Sequence, residues 1–501
     1  MSQTTHLGFL TADAVRLYPD RPALMQEDQV ITHAELDERA SRVAGWLVAE
    51  GVAPGDRVAL LWDNDVRYVE QFFGIMRAGA VAVPLNTRQS DEALQYVLTD
   101  ADAVGILAGH SQAARARMLA GPQSAALRFV AEPDEPQDAP RLVEVPIHDP
   151  DAVCMMPYTS GSTGRPKGVP LTHRGQLWCA DTVSKCYLFD ETERALLFAP
   201  LFHKNAGMTL KTALMAGGAC VVLPGFDPVQ VIRAIDRYQI TYLSGVPTMY
   251  RLLLAEKAEL ARHDVSSVRF ASAGSAPVTG DLLADFQAVF GAPIAEGYGL
   301  TEGGPDVLIG PRWGINKPGS LGIPIPGCQV QLRTLDGAGE VAVGDVGELW
   351  VKSPGVTRGY HNLPEVTAER IRDGWLATRD LMRCDDDGYF YFVGRRDDLI
   401  NVGGENVYPK EVEQVLLRHP AVADVAVVGA PHPLRGQVPV AFIVLREPVT
   451  ARELVAFFHQ TGPHYAYPRA IEFVDALPLA GTGKPDRAAL QVRARTLEVP
   501  S

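Results

Sequence analysis

A chain of 501 residues exceeds what one simple hydrophobic core organises, and points to roughly two to four domains. Its composition, 47% apolar and 21% charged, is that of an ordinary globular protein. A formal net charge of −14, with no clustered block of Lys/Arg, argues against nucleic acid as the main partner.

The first 150 residues alternate strand-like and helix-like pieces. RVALLW (57–62) reads as a buried strand, DVRYVEQFFGIMRAG (65–79) as an amphipathic helix and AVAVPLN (80–86) as another strand. The alternation returns at ITYLSGVPTMYRLLLAEKA, where a strand passes through Gly245 and Pro247 into a helix, and again at SVRFASAGSAPVTGDLLADFQAVF. Such alternation implies a mostly parallel sheet covered by helices. Ligands in sheets of this kind lie at the carboxyl ends of the strands. The Gly/Ser-rich turns at 159–164, 272–276 and 297–304 are therefore expected to face one site.

From about 320 to 395 short alternating strands with DG and GD turns predict antiparallel sheet or a small barrel. After GRRDD (394–398) comes a compact segment: a helix from Pro409, strands near 422–429 and 438–445, a helix at 451–460 and a strand at 470–474. The expected class is α/β. A large N-terminal domain, 1–396, holds parallel α/β subdomains (about 1–319) and a β-barrel-like part (about 320–396), and a small α+β domain follows at 397–501.

Six cysteines (154, 179, 186, 220, 328 and 384) show neither CxxC nor ligand-like spacing to histidine, which fits reduced thiols better than a disulfide frame or a zinc site. No apolar run approaches the ~20 residues that span a bilayer. The N-terminal stretch has no basic start, and the C-terminal TLEVPS matches no lipidation or peroxisomal address. A cytoplasmic protein with no membrane span is expected.

The stretch YTSGSTGRPKGVPLTH (158–173) looks built to hold phosphate. A Walker A loop would need Gly before its lysine and Ser/Thr after it. Here Lys167 follows Pro166 and precedes Gly168, so that reading fails. What survives is a flexible loop between a strand at 153–157 and the segment from Lys167, whose hydroxyls and amides wrap an anionic triphosphate. Thr172 can cap the helix that follows. The plainer alternative is a solvated Gly/Ser hairpin. Only nine of the 46 basic residues are lysines, and none precedes Lys167, so each lysine carries more information than usual.

Five motifs then occur in order: YTSGSTGRPKG, GYGLTEGG (297–304), WLATRD (375–380), GRRDDLINVGGENVYPKEVE (394–413) and LAGTGKPDR (479–487). Together they resemble the adenylate-forming superfamily of acyl-CoA synthetases, luciferases and nonribosomal-peptide adenylation domains, over nearly the whole chain. Within it, PLFH, SAGSAP and GYGLTEGGP are most similar to aryl- and acyl-CoA ligases of the 4-coumarate type.

The resemblance implies ATP, Mg²⁺ and CoA as the small molecules used. Thr159, Ser160, Gly161, Ser162, Thr163, Gly164 and Lys167 would hold the phosphates. Thr301 and Glu302 fall at the YGxTE position, where Glu302 can hold Mg²⁺ against them. Gly274, Ala276 and Pro277, with Glu296, Gly297, Tyr298 and Gly299, match the adenine-contacting segments. Asp380 and Arg395 match the pair near the ribose. Lys484 matches the lysine that stabilises charge when a carboxylate attacks the α-phosphate, against the alternative of a surface lysine. Asp397 matches the hinge of a mobile lid domain, and Gly403 and Gly404 the route of the thiol; a loop turn without motion is the alternative. His203 resembles the gate beside the acyl carboxylate, against the alternative of a core histidine. An aspartate that would hold an amino group is missing there, which disfavours an amino-acid substrate.

His203, Asn205, Thr209, Ala273, Ser275 and Pro305 are expected to line the acyl pocket, with room for a bulky apolar or aromatic acid. Asn205 stands where phenol-binding relatives often have Tyr, which argues against specific recognition of a hydroxycinnamate. Two further departures matter. Arg379 stands where the family usually has Gly, and a positive-φ requirement there would disfavour it. Ala466 replaces a lysine, which weakens one anion contact for CoA. The expected activity is ATP-dependent acyl-adenylate formation with pyrophosphate release, then transfer to CoA. An amine or carrier protein as acceptor, and a catalytically silent adenylate-binding protein, are the alternatives. A homodimer is an open expectation.

Overall fold

The computed structural model describes the whole chain except residues 1–3, 122–125, 133, 137–138, 143–148, 161–164, 275–277, 305, 313–314, 316, 338, 404, 479–484 and 498–501; Ser160 and Thr461 are described as backbone only. It divides into two compact units. The first comprises Met1–Val330, Trp350–Ala377 and Asp387–Phe390, and the second Gln331–Leu349, Thr378–Asp386 and Tyr391–Ser501.

Two sheets organise the first unit. In the larger, strands Ile294–Gly299, Phe270–Ala273, Tyr242–Gly245, Arg194–Leu197, Ala219–Val222 and Pro22–Gln26 run parallel in that spatial order. Antiparallel strands close both edges: Asp306–Ile309 and Ile323–Pro324 on one side, Gln29–Thr32 on the other. In the second, Val153–Met155, Val81–Pro84, Arg57–Leu61, Ala103–Ala108 and Phe129–Ala131 are parallel, with Leu171–Thr172 antiparallel at the edge. Helix Val66–Arg77 covers this sheet with Tyr68, Phe72, Phe73 and Met76 buried, and Asp65 caps it by accepting the Arg67 N–H at 2.7 Å.

The larger sheet has a reversal of strand order. From Arg194–Leu197 the chain crosses to Ala219–Val222 on one side, then returns to Tyr242–Gly245 on the other. A crevice opens at the carboxyl ends beside such a switch point, because the two following connections diverge. Asn64, in the loop after strand Arg57–Leu61 of the second sheet, secures this edge: its amide accepts from Leu201 N at 2.8 Å and donates to the carbonyls of Ala199 and Leu223 at 2.9 and 3.1 Å.

A third sheet contains Gln329–Arg333, Val346–Lys352, Trp375–Cys384 and Ile371–Arg372, with Phe390–Arg395 paired to Trp375–Cys384. In the second unit, strands Val422–His432 and Gly436–Leu445 form a long antiparallel pair; Ile400–Val402 and Ala470–Phe473 also pair with the second of them. Helix Pro409–Leu417 begins on proline, and Ala451–Thr461 begins on a Thr450/Glu453 capping box. The elements anticipated at 409, 422–429, 438–445, 451–460 and 470–474 are all present. Ala466 is 5% exposed and packs in the apolar core of this unit with Phe458 and Leu454, so the position serves packing, where a lysine would present a charge.

Candidate active site

The phosphate-loop candidate is more ordered at its arms than a plain loop. The strand from Val153 ends at Met155, and Tyr158–Ser160 then pairs antiparallel with Pro166–Gly168, setting Thr159 opposite Lys167. This corrects the expectation of one strand to 157. Tyr158 anchors the arm by donating to Asp100 Oδ2 at 2.7 Å. Thr172 caps the next helix, as anticipated, accepting Gly175 N at 3.1 Å. Gly161, Ser162, Thr163 and Gly164, at the tip, lie outside the described residues, as do Ser275, Ala276, Pro277, Pro305, Gly404 and Lys484.

Thr301 and Glu302 occupy a short 3-10 turn after the strand Ile294–Gly299. Tyr360 links this turn to the hairpin: its hydroxyl donates to Glu302 Oε1 at 3.1 Å, and Lys167 Nζ lies 5.8 Å from its ring centroid. The two ends of the Glu302 loop are gripped from one helix, Lys204–Met215. Lys204 Nζ donates to the Gly299 carbonyl. Lys211 Nζ donates to Gln176 Oε1, and Gln176 Nε2 donates to the Gly304 carbonyl at 3.3 Å. Lys211 and Gln176 are 3% and 1% exposed, and burial pulls the lysine below its usual pKa. Gly304 has φ +111, and a β-carbon there would stand 2.6 Å from Gly355 Cα. Only glycine fits.

Glu296 is a brace. Its carboxylate accepts Val278 N at 2.9 Å and Gly319 N at 3.0 Å, holding two loops together. Burial raises its pKa to about 7 against the pull of those two amides. Its influence on a nucleotide would run through the loops it holds. A β-carbon at Gly274 would make an ordinary 3.6 Å contact with the Gly297 carbonyl, so the chain itself does not demand glycine there. Tyr298 lies in the strand, opposite Leu308.

At the switch point, His203 is exposed and forms the N-cap of the Lys204–Met215 helix. Asn205 follows on its first turn and accepts from Ser244 Oγ at 2.6 Å; Ser272 Oγ donates to Ser244 Oγ at 3.1 Å, and Tyr242 and Ser272 hydroxyls pair at 2.6 Å. Thr209 and Ala273 are 4% and 3% exposed. A buried hydroxyl chain thus ends on the Asn205 amide, beside the carboxyl ends of two parallel strands.

In the second unit, Asp380 is buried and takes Arg395 Nε on Oδ1 at 3.2 Å, so the two ribose candidates meet. Arg379 has φ +61. The positive-φ requirement suspected from sequence is real, and an arginine meets it, at a cost of roughly 1–2 kcal/mol. Its guanidinium pairs with Asp397 at 2.6 Å. Gly403 also has positive φ, +63, at the turn between Ile400–Val402 and Glu405–Val407.

Sequence reasoning missed Tyr360, Gln176, Lys211 and Asn64. Lysine scarcity was the available signal: two of the nine lysines fall on one 12-residue helix.

Among the described residues no three His, Cys, Asp or Glu side chains cluster as a metal cage. A single carboxylate suits Mg²⁺, which binds through one or two carboxylates plus substrate phosphates and keeps its waters. Also among the described residues, no helix is long and apolar enough to cross a membrane.

The AMP-binding enzyme family matches residues 11–361, and the AMP-binding enzyme C-terminal domain matches 411–484. A feruloyl-CoA synthase of Amycolatopsis sp is 39% identical over 484 residues, covering 95% of this chain and 97% of that protein. An anthranilate CoA ligase in complex with anthranoyl-AMP superimposes with a TM-score of 0.90 at 28% identity, covering 99% of this chain and 98% of that one. An o-succinylbenzoate CoA synthetase of Bacillus subtilis, in complex with ATP and magnesium ion, gives 0.86 at 32% identity, over 96% and 98%.

Proposed function

This chain belongs to the AMP-binding enzyme family, and we propose that its substrate is a bulky aromatic acid, activated with Mg²⁺-bound ATP. The reaction is that of an AMP-forming acid–thiol ligase. A carboxylate oxygen bonds to the α-phosphorus of ATP and the bond to the β-phosphate breaks, releasing pyrophosphate. The thiol of CoA then loses its proton, its sulfur bonds to the acyl carbon, and AMP departs.

The observation that carries the substrate reading is the near full-length 39% identity to a feruloyl-CoA synthase. The hydroxyl chain ending on Asn205 supports it, because a half-buried amide on the pocket side suits a ring with a polar substituent. The residues divide the work. Lys167 and the hairpin arms hold the β- and γ-phosphates, and Glu302, steadied by Tyr360, would hold the Mg²⁺. When bound, that ion would supply Lewis-acid relief of the phosphate charge. Asp380 and Arg395 orient the ribose, and His203 borders the acid carboxylate. Lys484 neutralises the charge that builds between the two anions. With this reading go a large domain at 1–396, a lid at 397–501 that turns at Asp397, a thiol path at Gly403–Gly404, cytoplasmic residence and a homodimer.

A panel of ring-substituted and plain aryl acids, fatty acids and dicarboxylic acids, assayed for pyrophosphate with CoA present and absent, tests the proposal. Aryl acids should lead, with thioester formed. Preference for a fatty acid would overturn the substrate, and pyrophosphate without thioester would move the acceptor to an amine or carrier protein.

A further inference from the structure

The segment 395–398 is tied in two opposite directions. Upstream, Arg395 pairs with Asp380 at 3.2 Å, Arg396 with Glu348 at 2.8 Å and Asp397 with Arg379 at 2.6 Å. Glu348 also accepts the backbone N–H of Arg379 at 3.0 Å, so strand residues 348 and 379–380 hold three consecutive residues. Downstream, Asp398 faces Arg487 at 3.7 Å. Arg487 in turn pairs with Glu413 at 2.6 Å and donates to the Val427 carbonyl at 2.5 Å. The direction of pairing changes between Asp397 and Asp398.

Arg379 is the costly member of this set. It holds a left-handed backbone that glycine would adopt without strain. The energy spent on that conformation places a planar, forked cation on the Asp397 carboxylate.

We propose that Arg379 is a positioning residue that makes Asp397 the last fixed residue of the hinge, so that rotation begins at the Asp397–Asp398 peptide. The inference rests on the two-step reading above, in which the lid must turn before the thiol attacks. With the anchor gone, rotation spreads over residues 396–398 and the thiol-accepting geometry is reached less often.

Arg379→Gly tests this directly, because it relieves the backbone and removes the anchor at once. Its Tm should equal or exceed that of the unmodified protein. Single-turnover adenylation should stay within about twofold, while transfer from preformed acyl-adenylate to CoA slows about fivefold. KM for ATP and for the acid should hold, and amide exchange at 396–399 should quicken. Arg379→Lys should fall between. The reversed pair, Arg379→Asp with Asp397→Arg, should recover most of the transfer rate. Equal loss in both half-reactions, or unchanged transfer and exchange, would overturn the proposal. Failure of the two-step reading looks different: the unmodified protein would release pyrophosphate yet form no thioester. Amide exchange decides the anchor in that case too, and an unchanged rate at 396–399 sinks it.

Discussion

Gly299 and Gly304, the ends of the loop that carries Glu302, are held through their carbonyls, by Lys204 directly and by Lys211 through Gln176. Arg395, Arg396 and Asp397 are held side chain to side chain instead. The first arrangement is buried, with Lys211 and Gln176 almost wholly enclosed. The second is mixed: the Arg395 and Arg396 side chains are 51% and 42% exposed, and their partners Asp380 and Glu348 only 10% and 1%. Breaking a buried polar link leaves an unsatisfied group, which costs about 1–3 kcal/mol. Breaking the Arg379–Asp397 pair, partly exposed on both sides, costs about 0–1 kcal/mol, whereas removing Arg396 leaves the buried Glu348 carboxylate without its cation. On the proposed hinge, the segment that turns is held by half-exposed cations, and the Glu302 loop by enclosed links.

The largest expected effect belongs to Lys484. Lys484→Ala should slow adenylation roughly 10²–10³-fold and transfer from supplied acyl-adenylate far less. Equal loss in both would cancel its proposed role. Next comes Gly304→Ala, in the Glu302 loop. The left-handed backbone and the approach to Gly355 force the loop to shift, so adenylation should drop about 10²-fold. Normal activity there would mean that the loop tolerates displacement. Tyr360→Phe removes one donor from Glu302 and should raise KM for MgATP about tenfold with kcat little changed.

A pH experiment sharpens the contrast further. Between pH 4.5 and about 7 the folded chain keeps a proton on Glu296 that the unfolded chain has released. That stabilisation is full at low pH and is lost as the pH rises through 7. Thermal melts from pH 4.5 to 8 should therefore shift in favour of Glu296→Gln as the pH rises, and parallel curves would refute the buried-brace account. Arg396→Gln should do least to the reaction, changing transfer by about twofold at most, while Tm falls because Glu348, 1% exposed, loses its cation.

Local pattern and turn chemistry made the fold legible. Alternating apolar runs marked the parallel strands, and Pro409 and Thr172 marked helix starts. Arg379 was legible as a conflict, since an arginine at a glycine position announces a backbone question that only coordinates answer. The braces were not legible. Lys211 and Gln176 lie 35 residues apart, and Tyr360 and Glu302 lie 58 apart, so each pair exists only after the sheets have set their ends together. The break after Met155 was also hidden, because Pro157 and the Thr159–Lys167 pairing decide it jointly.

The helix Lys204–Met215 carries Asn205 and Thr209 of the proposed acid pocket and both lysines that grip the Glu302 loop. For anyone retargeting the enzyme to a new acid, those pocket positions are not independent variables. A substitution that tilts this helix will also move the nucleotide-side loop, so libraries confined to the pocket should be dominated by variants that fail with every acid. Exchanging the helix together with Gln176, as one cassette, keeps the grip while the pocket changes.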